Sequence, residues 1–277
     1  MIIIGVILII ILVSAIIMII RGVQTPKTDD SFNSLDHGYI EESTTNIDDF
    51  QIDQVYLTDT GREIHYSVYI PDNIEELESV SLFITLPGWE GLYFQGVGVN
   101  LESEDFAYTA RDINPNMIIL APQLNDWGEQ SALDTILLTE YYQEHYPVSY
   151  TAIEGFSGGG ETLSLVLNTH ADLYDKALMV SSEWNGTYDN VIENKLPLYF
   201  FIGEDDDYYG SSNFKNTYQE IYSQYVEEGL SDEEIDEILI LDVRDRNYFH
   251  EHGLSSEHAG GGLVAHESDI MRWLLTK

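Results

Sequence analysis

Short, continuously apolar segments recur along the chain from residue 80 onward. They are residues 80–86, 116–122, 150–155, 176–182, 196–203 and 235–243. Stretches with apolar residues at helical spacing lie between them, such as residues 131–146 and 161–175. Strands that are buried on both faces read as continuous apolar runs, and they build parallel sheets that helices cover. The pattern therefore predicts an α/β fold with a mostly parallel sheet and helices on both faces.

The segment before these runs has a different periodicity. Ile64, Tyr66, Val68 and Ile70 alternate with other residues, and the turn-forming sequence TDTG at 58–61 precedes them. Alternation with period two beside such a turn predicts an antiparallel hairpin. In the parallel part, right-handed crossovers bring the carboxyl ends of the strands to one edge of the sheet, where ligand sites collect.

The composition restricts the chemistry and the partners. The chain of 277 residues has 49 acidic and 11 basic residues, a formal net charge of −38, and no cysteine. Nucleic-acid binding requires a basic surface, so we expect no nucleic-acid partner. Without cysteine there is no disulfide, no thiolate metal ligand, no cysteine nucleophile and no acylated cysteine of a lipoprotein. The length suits one large α/β domain with an appendage.

Residues 2–20 are apolar and carry no charge. As a helix they would span about 28 Å, close to the hydrocarbon thickness of a bilayer. The apolar run continues past residues 13–15 without a polar break, which argues against a cleaved signal peptide. We therefore predict a transmembrane anchor at 1–21, a flexible acidic tether at 22–50 and an α/β domain at 51–277.

The sequence gives opposing signals for the orientation of this anchor. Arg21 and Lys27 follow the apolar segment, and the positive-inside tendency would keep them in the cytoplasm. The long polar tether and the acidic surface, which an anionic inner leaflet repels, favour the outside. We expect a single-pass membrane protein whose large domain is extracellular.

A serine between glycines stands at the end of one apolar run. Residues 155–159, GFSGG, fit the pattern G-x-S-x-G at a strand-to-helix junction. A nucleophile on such a tight turn requires small neighbours, and the following helix directs its positive end toward charge that develops at Ser157. The alternative is a turn of small residues without a catalytic role. Whether Ser157 is a nucleophile therefore depends on finding an acid and a base elsewhere in the chain.

Candidates for the acid follow a later strand. Asp206 stands three residues after Gly203, where the apolar run 196–203 ends. A carboxylate at this position can orient a histidine and stabilise its imidazolium form. Asp205 and Asp207 are alternatives, and an acidic turn without a catalytic role is a further one.

Candidates for the base follow the last apolar run. They are His250, His252, His258 and His266. We select His258 because it lies in a loop of small residues between the last strand and a final helix. His252 and His266 remain alternatives.

The order Ser157, Asp206, His258 is the nucleophile–acid–base order of α/β-hydrolases. Residues 50–277 resemble that superfamily, in particular its esterase and prolyl-oligopeptidase-like branch. The resemblance implies the α/β-hydrolase fold with an eight-stranded sheet, whose first strands are the hairpin described above. It also implies an oxyanion hole made by the backbone N–H groups of Trp89 and Gly158, although Pro87-Gly88 stand where many relatives have histidine-glycine.

The expected activity is that of a membrane-anchored serine hydrolase that cleaves carboxylic esters through an acyl-enzyme. A prolyl-oligopeptidase-like serine peptidase is one alternative, and a non-catalytic surface binding protein on the same fold is another. Trp184, Trp127 and Tyr208 follow strand ends, and we predict that they contact the substrate; packing in the core or in a loop is the other interpretation. We expect a small-molecule or polymer ester as substrate, no metal or organic cofactor, and a monomeric catalytic domain.

Overall fold

The computed structural model describes residues 38–277. Its strands are β1 (Tyr39–Glu41), β2 (Asn46–Ile47), β3 (Phe50–Leu57), β4 (Glu63–Tyr69), β5 (Val80–Leu86), β6 (Met117–Pro122), β7 (Val148–Phe156), β8 (Lys176–Val180), β9 (Leu198–Gly203) and β10 (Leu239–Arg244). Its α-helices are α1 (Val99–Glu102), α2 (Phe106–Ile113), α3 (Glu129–His145), α4 (Gly158–His170), α5 (Asp189–Asn194), α6 (Ser212–Glu227), α7 (Asp232–Ile238), α8 (Arg246–Glu251) and α9 (Ser268–Leu275).

The described strands form one sheet in the order β1-β3-β4-β6-β5-β7-β8-β9-β10, with β2 paired to β3. Strands β3 and β4 are antiparallel to each other, and β4 is antiparallel to β6. From β6 to β10 the neighbouring strands are parallel. The α/β fold and the antiparallel start that the sequence predicts are therefore confirmed.

Helices cover the sheet because its strands are apolar on both faces. Phe83, Ile119 and Tyr150 share one buried cluster with helices α2 and α9. Successive strand residues point to opposite faces, so buried Leu82 and Ile84 face away from that cluster. Helix α4 packs against β7 and against α3. Strand β7 lies near the middle of the sheet between β5 and β8, so the residue that follows it is held from both sides.

The sheet is larger than the eight strands that were predicted, because ten strands are present in residues 38–277. The two additional strands, β1 and β2, are short and pair with β3 at the edge. They lie in the segment that was predicted to be a flexible tether, 22–50. Within that segment, backbone hydrogen bonds to β3 hold residues 39–41 and 46–47 in the sheet, so these two pieces are not a flexible tether. The sequence hides this pairing because most side chains of β1 and β2 are exposed and polar.

The last apolar run, 235–243, is not one strand. Its first half belongs to helix α7, and the strand β10 begins only at Leu239. The helix begins where it does because Ser231 and Glu234 form a capping box. The Ser231 hydroxyl accepts from the Glu234 N–H, and the Glu234 carboxylate accepts from the Ser231 N–H.

The predicted anchor at residues 2–20 lies outside the described residues. Within residues 38–277, no helix combines the length and the apolar character that crossing a membrane requires.

Candidate active site

Ser157 lies alone at the turn between strand β7 and helix α4. Its backbone angles are φ 54° and ψ −125°. A positive φ at a residue other than glycine costs of the order of 1–3 kcal/mol and persists only when the surroundings impose it. Here the Ser157 N–H donates to the carbonyl of Val180 at 2.9 Å, and the Ser157 carbonyl accepts from the N–H of Gly160 at 2.9 Å. The next strand and the new helix therefore fix the turn.

The glycines around Ser157 let strand and helix approach closely. A Cβ atom on Gly155 would lie 2.6 Å from the carbonyl oxygen of Gly159, and one on Gly160 would lie 2.5 Å from the Cβ of Ser182. A Cβ on Gly158 would overlap the indole ring of Trp127. Each of these three glycines therefore stands where a side chain would collide with a different neighbour.

The structure brings Ser157, His258 and Asp206 into one hydrogen-bonded chain. His258 Nδ1 is 3.0 Å from Asp206 Oδ2, and His258 Nε2 is 3.0 Å from Ser157 Oγ. A carboxylate only accepts, so Nδ1 carries the proton that it donates to Asp206, and Nε2 is left to accept from the Ser157 hydroxyl. The phenyl ring of Phe156 stacks on the imidazole at 5.6 Å between ring centroids.

The Asp206 side chain is completely buried, yet hydrogen bonds keep its carboxylate ionised. Its Oδ1 accepts from the N–H groups of Tyr208 and Tyr209 at 3.0 and 2.9 Å. Burial by itself raises the pKa of Asp206, but the hydrogen bonds from His258 and from these two N–H groups outweigh it, so the pKa lies below its ordinary value. The ionised carboxylate stabilises the positively charged imidazolium form of His258.

The alternative acids have other partners. The carboxylate of Asp205 is mostly exposed and lies 3.7 Å from Arg246 Nη2. Asp207 Oδ2 accepts from the N–H of Glu257 at 3.1 Å. Neither carboxylate is hydrogen-bonded to His258.

The alternative histidines also lie elsewhere. His252 Nδ1 is 2.7 Å from the carbonyl of Tyr248, which precedes it by one helical turn. His266 Nε2 is 3.0 Å from Asp105 Oδ2. His250, like His252 and His266, is exposed. Of the histidines after the last strand, His258 is the one that meets Ser157.

A cavity of about 430 Å³ opens in front of this hydrogen-bonded chain. Its volume is within the usual range for small-molecule sites. Its lining residues are Trp89, Glu90, Ser103, Glu104, Trp127, Phe156, Ser157, Tyr208, Tyr209, His258, Ala259 and Gly262. Two of the three aromatic residues that were predicted to contact the substrate, Trp127 and Tyr208, are in this lining.

Trp184 is the third of these aromatic residues, and the structure places it outside the lining of the cavity. It is buried, with its ring against Phe200 and Tyr188. Its indole N–H donates to the carbonyl of Thr187 at 3.2 Å. These contacts correct the predicted substrate contact to a packing role, because both the ring and the N–H are already used within the fold.

The predicted oxyanion donors lie on two segments beside Ser157. Trp89 follows strand β5 and lines the cavity, and Gly158 is the first residue of helix α4. The first N–H groups of a helix have no partner within the helix, so the N–H of Gly158 is available to a ligand. The N–H of Gly88, one residue before Trp89, donates to Glu104 Oε1 at 3.1 Å and fixes the loop. The role of Trp89 and Gly158 as donors stays a prediction.

Solved structures with the same architecture include a thermostable esterase and a prolyl endopeptidase. The thermostable esterase aligns with a TM-score of 0.65 at 18% identity, over 82% of this chain and 62% of that chain. Est1E from Butyrivibrio proteoclasticus aligns with a TM-score of 0.53 at 12% identity, over 78% and 94%. A prolyl endopeptidase aligns with a TM-score of 0.53 at 11% identity, over 84% and 40%.

The chain has the α/β-hydrolase fold. No protein-family model and no curated protein sequence matches the chain, so the likeness concerns the fold. This chain spans 62% of the length of the thermostable esterase and 40% of that of the prolyl endopeptidase. In this α/β-hydrolase fold the turn at Ser157 follows a central parallel strand, at the carboxyl edge where ligand sites collect.

Two buried carboxyl groups of this α/β-hydrolase fold had no signal in the sequence beyond the general acidity of the chain. Glu104 lines the cavity, and Glu154 lies in β7 three residues before Ser157. Burial raises the pKa of Glu104 to about 8 and raises the pKa of Glu154 well above its ordinary value. Glu154 Oε2 accepts from the hydroxyl of Thr85 at 2.8 Å.

A second hydrogen-bonded chain leads away from the cavity. The hydroxyl of Tyr209 donates to Glu161 Oε1 at 2.6 Å, and Asn185 Nδ2 donates to Glu161 Oε2 at 3.1 Å. Tyr209 thereby ties the loop after Asp206 to the first turn of helix α4. The position of Tyr209, three residues after the acid, is the only hint of this contact that the sequence contains.

Proposed function

We propose that this protein is a serine hydrolase that cleaves carboxylic esters through an acyl-enzyme. The observation that carries the proposal is the chain of 3.0 Å contacts from Ser157 Oγ through His258 to buried Asp206, beside an aromatic cavity. The positive φ of Ser157 supports it, because strained backbone at a cavity is typical of functional sites. A fold alone would not carry it, since one fold hosts many chemistries.

In the proposed reaction, Ser157 Oγ attacks the ester carbonyl carbon while His258 Nε2 takes the hydroxyl proton. The carbonyl oxygen becomes an oxyanion, which the N–H groups of Trp89 and Gly158 stabilise. The C–O bond of the ester then breaks, and His258 returns the proton to the leaving alcohol. Water, deprotonated by His258, attacks the acyl-serine ester, and the acid leaves as Ser157 recovers its proton.

Labelling by a fluorophosphonate tests the nucleophile. We expect the wild type to be labelled and Ser157→Ala to lose labelling, because the reagent requires an activated hydroxyl. Ser103→Ala is the matched control, since it removes another serine from the lining of the same cavity. Equal labelling of wild type and Ser157→Ala would refute the proposed nucleophile.

The ester preference is the finer part of the proposal. The cavity has aromatic walls formed by Trp89, Trp127, Phe156 and Tyr208, which suit a small or aromatic acyl group. A peptidase is the second candidate because a prolyl endopeptidase shares the fold, although this chain spans 40% of it. Rates for short p-nitrophenyl esters and for dipeptide amides separate the two, and a strong preference for the amides would select the peptidase.

A non-catalytic surface binding protein is the third candidate. It would require that the purified protein hydrolyses no acyl substrate and still binds a surface polymer or a protein partner. The hydrogen-bonded chain at Ser157 argues against this candidate, because binding alone does not need an activated hydroxyl. A broad screen of esters and amides, with Ser157→Ala as the control, decides between the classes.

We also propose that residues 2–20 anchor the protein in the cell membrane as a single span, with the hydrolase domain outside the cell. Support comes from the uncharged apolar sequence and the acidic composition. Protease added to intact cells should then remove the domain while cytoplasmic proteins survive. Deletion of residues 1–27 should release an active, soluble domain. Protection of the domain until the membrane is broken would reverse the orientation.

A further inference from the structure

Glu104 places a carboxyl group in the wall of the cavity at Ser157. The residue is only 8% exposed, and it is one of the residues that line the cavity. Its Oε1 accepts from the N–H of Gly88 at 3.1 Å, a bond that uses one of the two carboxylate oxygens. The other oxygen has acceptor capacity left for a ligand.

Among the described residues that line the cavity, no lysine or arginine is present that could neutralise this carboxylate, and the second carboxylate is that of Glu90 at the exposed rim. His258 lines the cavity as well, but its two nitrogens contact Ser157 and Asp206. A carboxylate that is removed from water without a paired cation is unfavourable, and a cationic ligand would supply the missing partner.

The walls beside this carboxyl group also suit a cation. The indole rings of Trp89 and Trp127 both line the cavity, with 6.0 Å between their centroids and 53° between their planes. Aromatic faces attract ammonium groups, and tryptophan attracts them most strongly. The formal net charge of −38 adds a field that concentrates cations near the surface.

We propose that this cavity binds the ammonium group of a cationic ester, with Glu104 as its counterion and the rings of Trp89 and Trp127 against its carbon atoms. The inference rests on the proposed function and names its substrate class. It assigns specificity to the carboxylate of Glu104 and to the indole rings of Trp89 and Trp127, which are side-chain groups that take no part in the transfer of the acyl group. A volume of about 430 Å³ accommodates a small ester with such a group.

Binding should depend on pH, because only the ionised form of Glu104 attracts the cation. Burial raises the pKa of Glu104, the hydrogen bond from the N–H of Gly88 lowers it and the charge of Glu90 raises it, and together they bring it to about 8. The affinity for a cation should therefore increase with pH, up to about tenfold per unit below pH 8, and then level off. Buried Glu154 interacts electrostatically with Glu104, and His258 lines the same cavity, so the dependence must be assigned with a variant of Glu104.

Two ligands of equal shape test whether binding requires the positive charge of the ligand. Choline and 3,3-dimethylbutan-1-ol differ in one atom, nitrogen against carbon, and so in charge. We expect the full-length Ser157→Ala protein, in calorimetric titrations at pH 8.5, to bind choline at least tenfold more tightly than the neutral alcohol. Equal affinities, or tighter binding of the alcohol, would overturn the inference.

The matched variants are Glu104→Gln and Glu90→Gln, each made in the Ser157→Ala background. Glutamine at 104 can still accept from the N–H of Gly88, so this variant removes the charge and keeps the loop contact. We expect it to lose the preference for choline and the pH dependence, while Glu90→Gln keeps both. A preference that survives in Glu104→Gln, or that Glu90→Gln abolishes equally, would refute Glu104 as the counterion.

These measurements separate the inference from the proposed function. They record binding to a protein without the nucleophile, so they give a result whether or not the wild type hydrolyses esters. A protein that hydrolyses neutral esters but does not prefer choline would retain the proposed function and refute the inference. A protein that prefers choline but is not labelled at Ser157 would retain the inference and refute the proposed nucleophile.

Discussion

The contact of Gly155 with the first turn of helix α4 gives a sharp test of how the turn at Ser157 is held. In Gly155→Ala, the new Cβ would lie 2.6 Å from the carbonyl oxygen and 2.7 Å from the carbonyl carbon of Gly159. Ordinary contact begins near 3.4 Å, so strand and helix would have to separate by about 0.8 Å to restore it. These neighbours are backbone atoms, which no change of side-chain rotamer can move away.

We expect this substitution to lower the free energy of unfolding by about 1–3 kcal/mol, as overpacking does. It should also displace Ser157 from His258 by a sizeable part of 1 Å, and a misplacement of that order can reduce a rate about 10²-fold. Urea unfolding and kcat/KM for a p-nitrophenyl ester measure the two effects. Gly262→Ala is the control, because it lines the same cavity and its Cβ would meet no atom within 4 Å. Equal stability and activity of the two variants would refute the reasoning.

Three further predictions follow from single groups. Asp206→Asn should lower kcat about 10⁴-fold, because an amide does not hold His258 in the right tautomer; a loss below tenfold in ester hydrolysis would contradict the assigned acid. Tyr209→Phe removes the hydroxyl that donates to Glu161 at 2.6 Å and should cost about 1–2 kcal/mol in urea unfolding; unchanged stability would exclude this tie. The pKa of Glu104 is about 8 in the fold against an ordinary 4.5, so the unfolded chain ionises first and stability falls as the pH rises between these values. Glu104→Gln should flatten that fall by up to about 1.4 kcal/mol per pH unit, whereas Glu90→Gln, which changes an exposed carboxylate, should not.

The buried centre of the sheet could be predicted because its strands carry a strong apolar signal. The run at 80–86 coincides with β5, and the runs at 116–122 and 176–182 each contain a strand. Strand β1 has no such signal, since it lies at an edge and exposes most of its side chains. Edge pairing depends on backbone hydrogen bonds that any sequence can make, so tertiary context alone reveals it.

The three residues of the hydrogen-bonded chain could be predicted because each one follows a strand at the same edge of the sheet. The aromatic residues were harder, since a tryptophan after a strand can line a cavity or pack under it. Trp127 does the first and Trp184 the second, and the side chains around each ring decide which. Glu104 could not be found because it lies in the short connection between α1 and α2, where neither periodicity nor a motif marks a buried position. A glutamate among 49 acidic residues carries no mark in the sequence.

The outermost pairing of the sheet has a mechanical consequence. Strand β1 is held to β3 by three residue pairs, beginning with Tyr39 opposite Leu57. A pulling force applied at residue 38 and directed away from the sheet would break the backbone hydrogen bonds of these pairs one after another. Four strands, β3, β4, β6 and β5, separate β1 from the strand that precedes Ser157. Under tension, β1 would therefore detach from β3 first, and the geometry at Ser157 would stay intact.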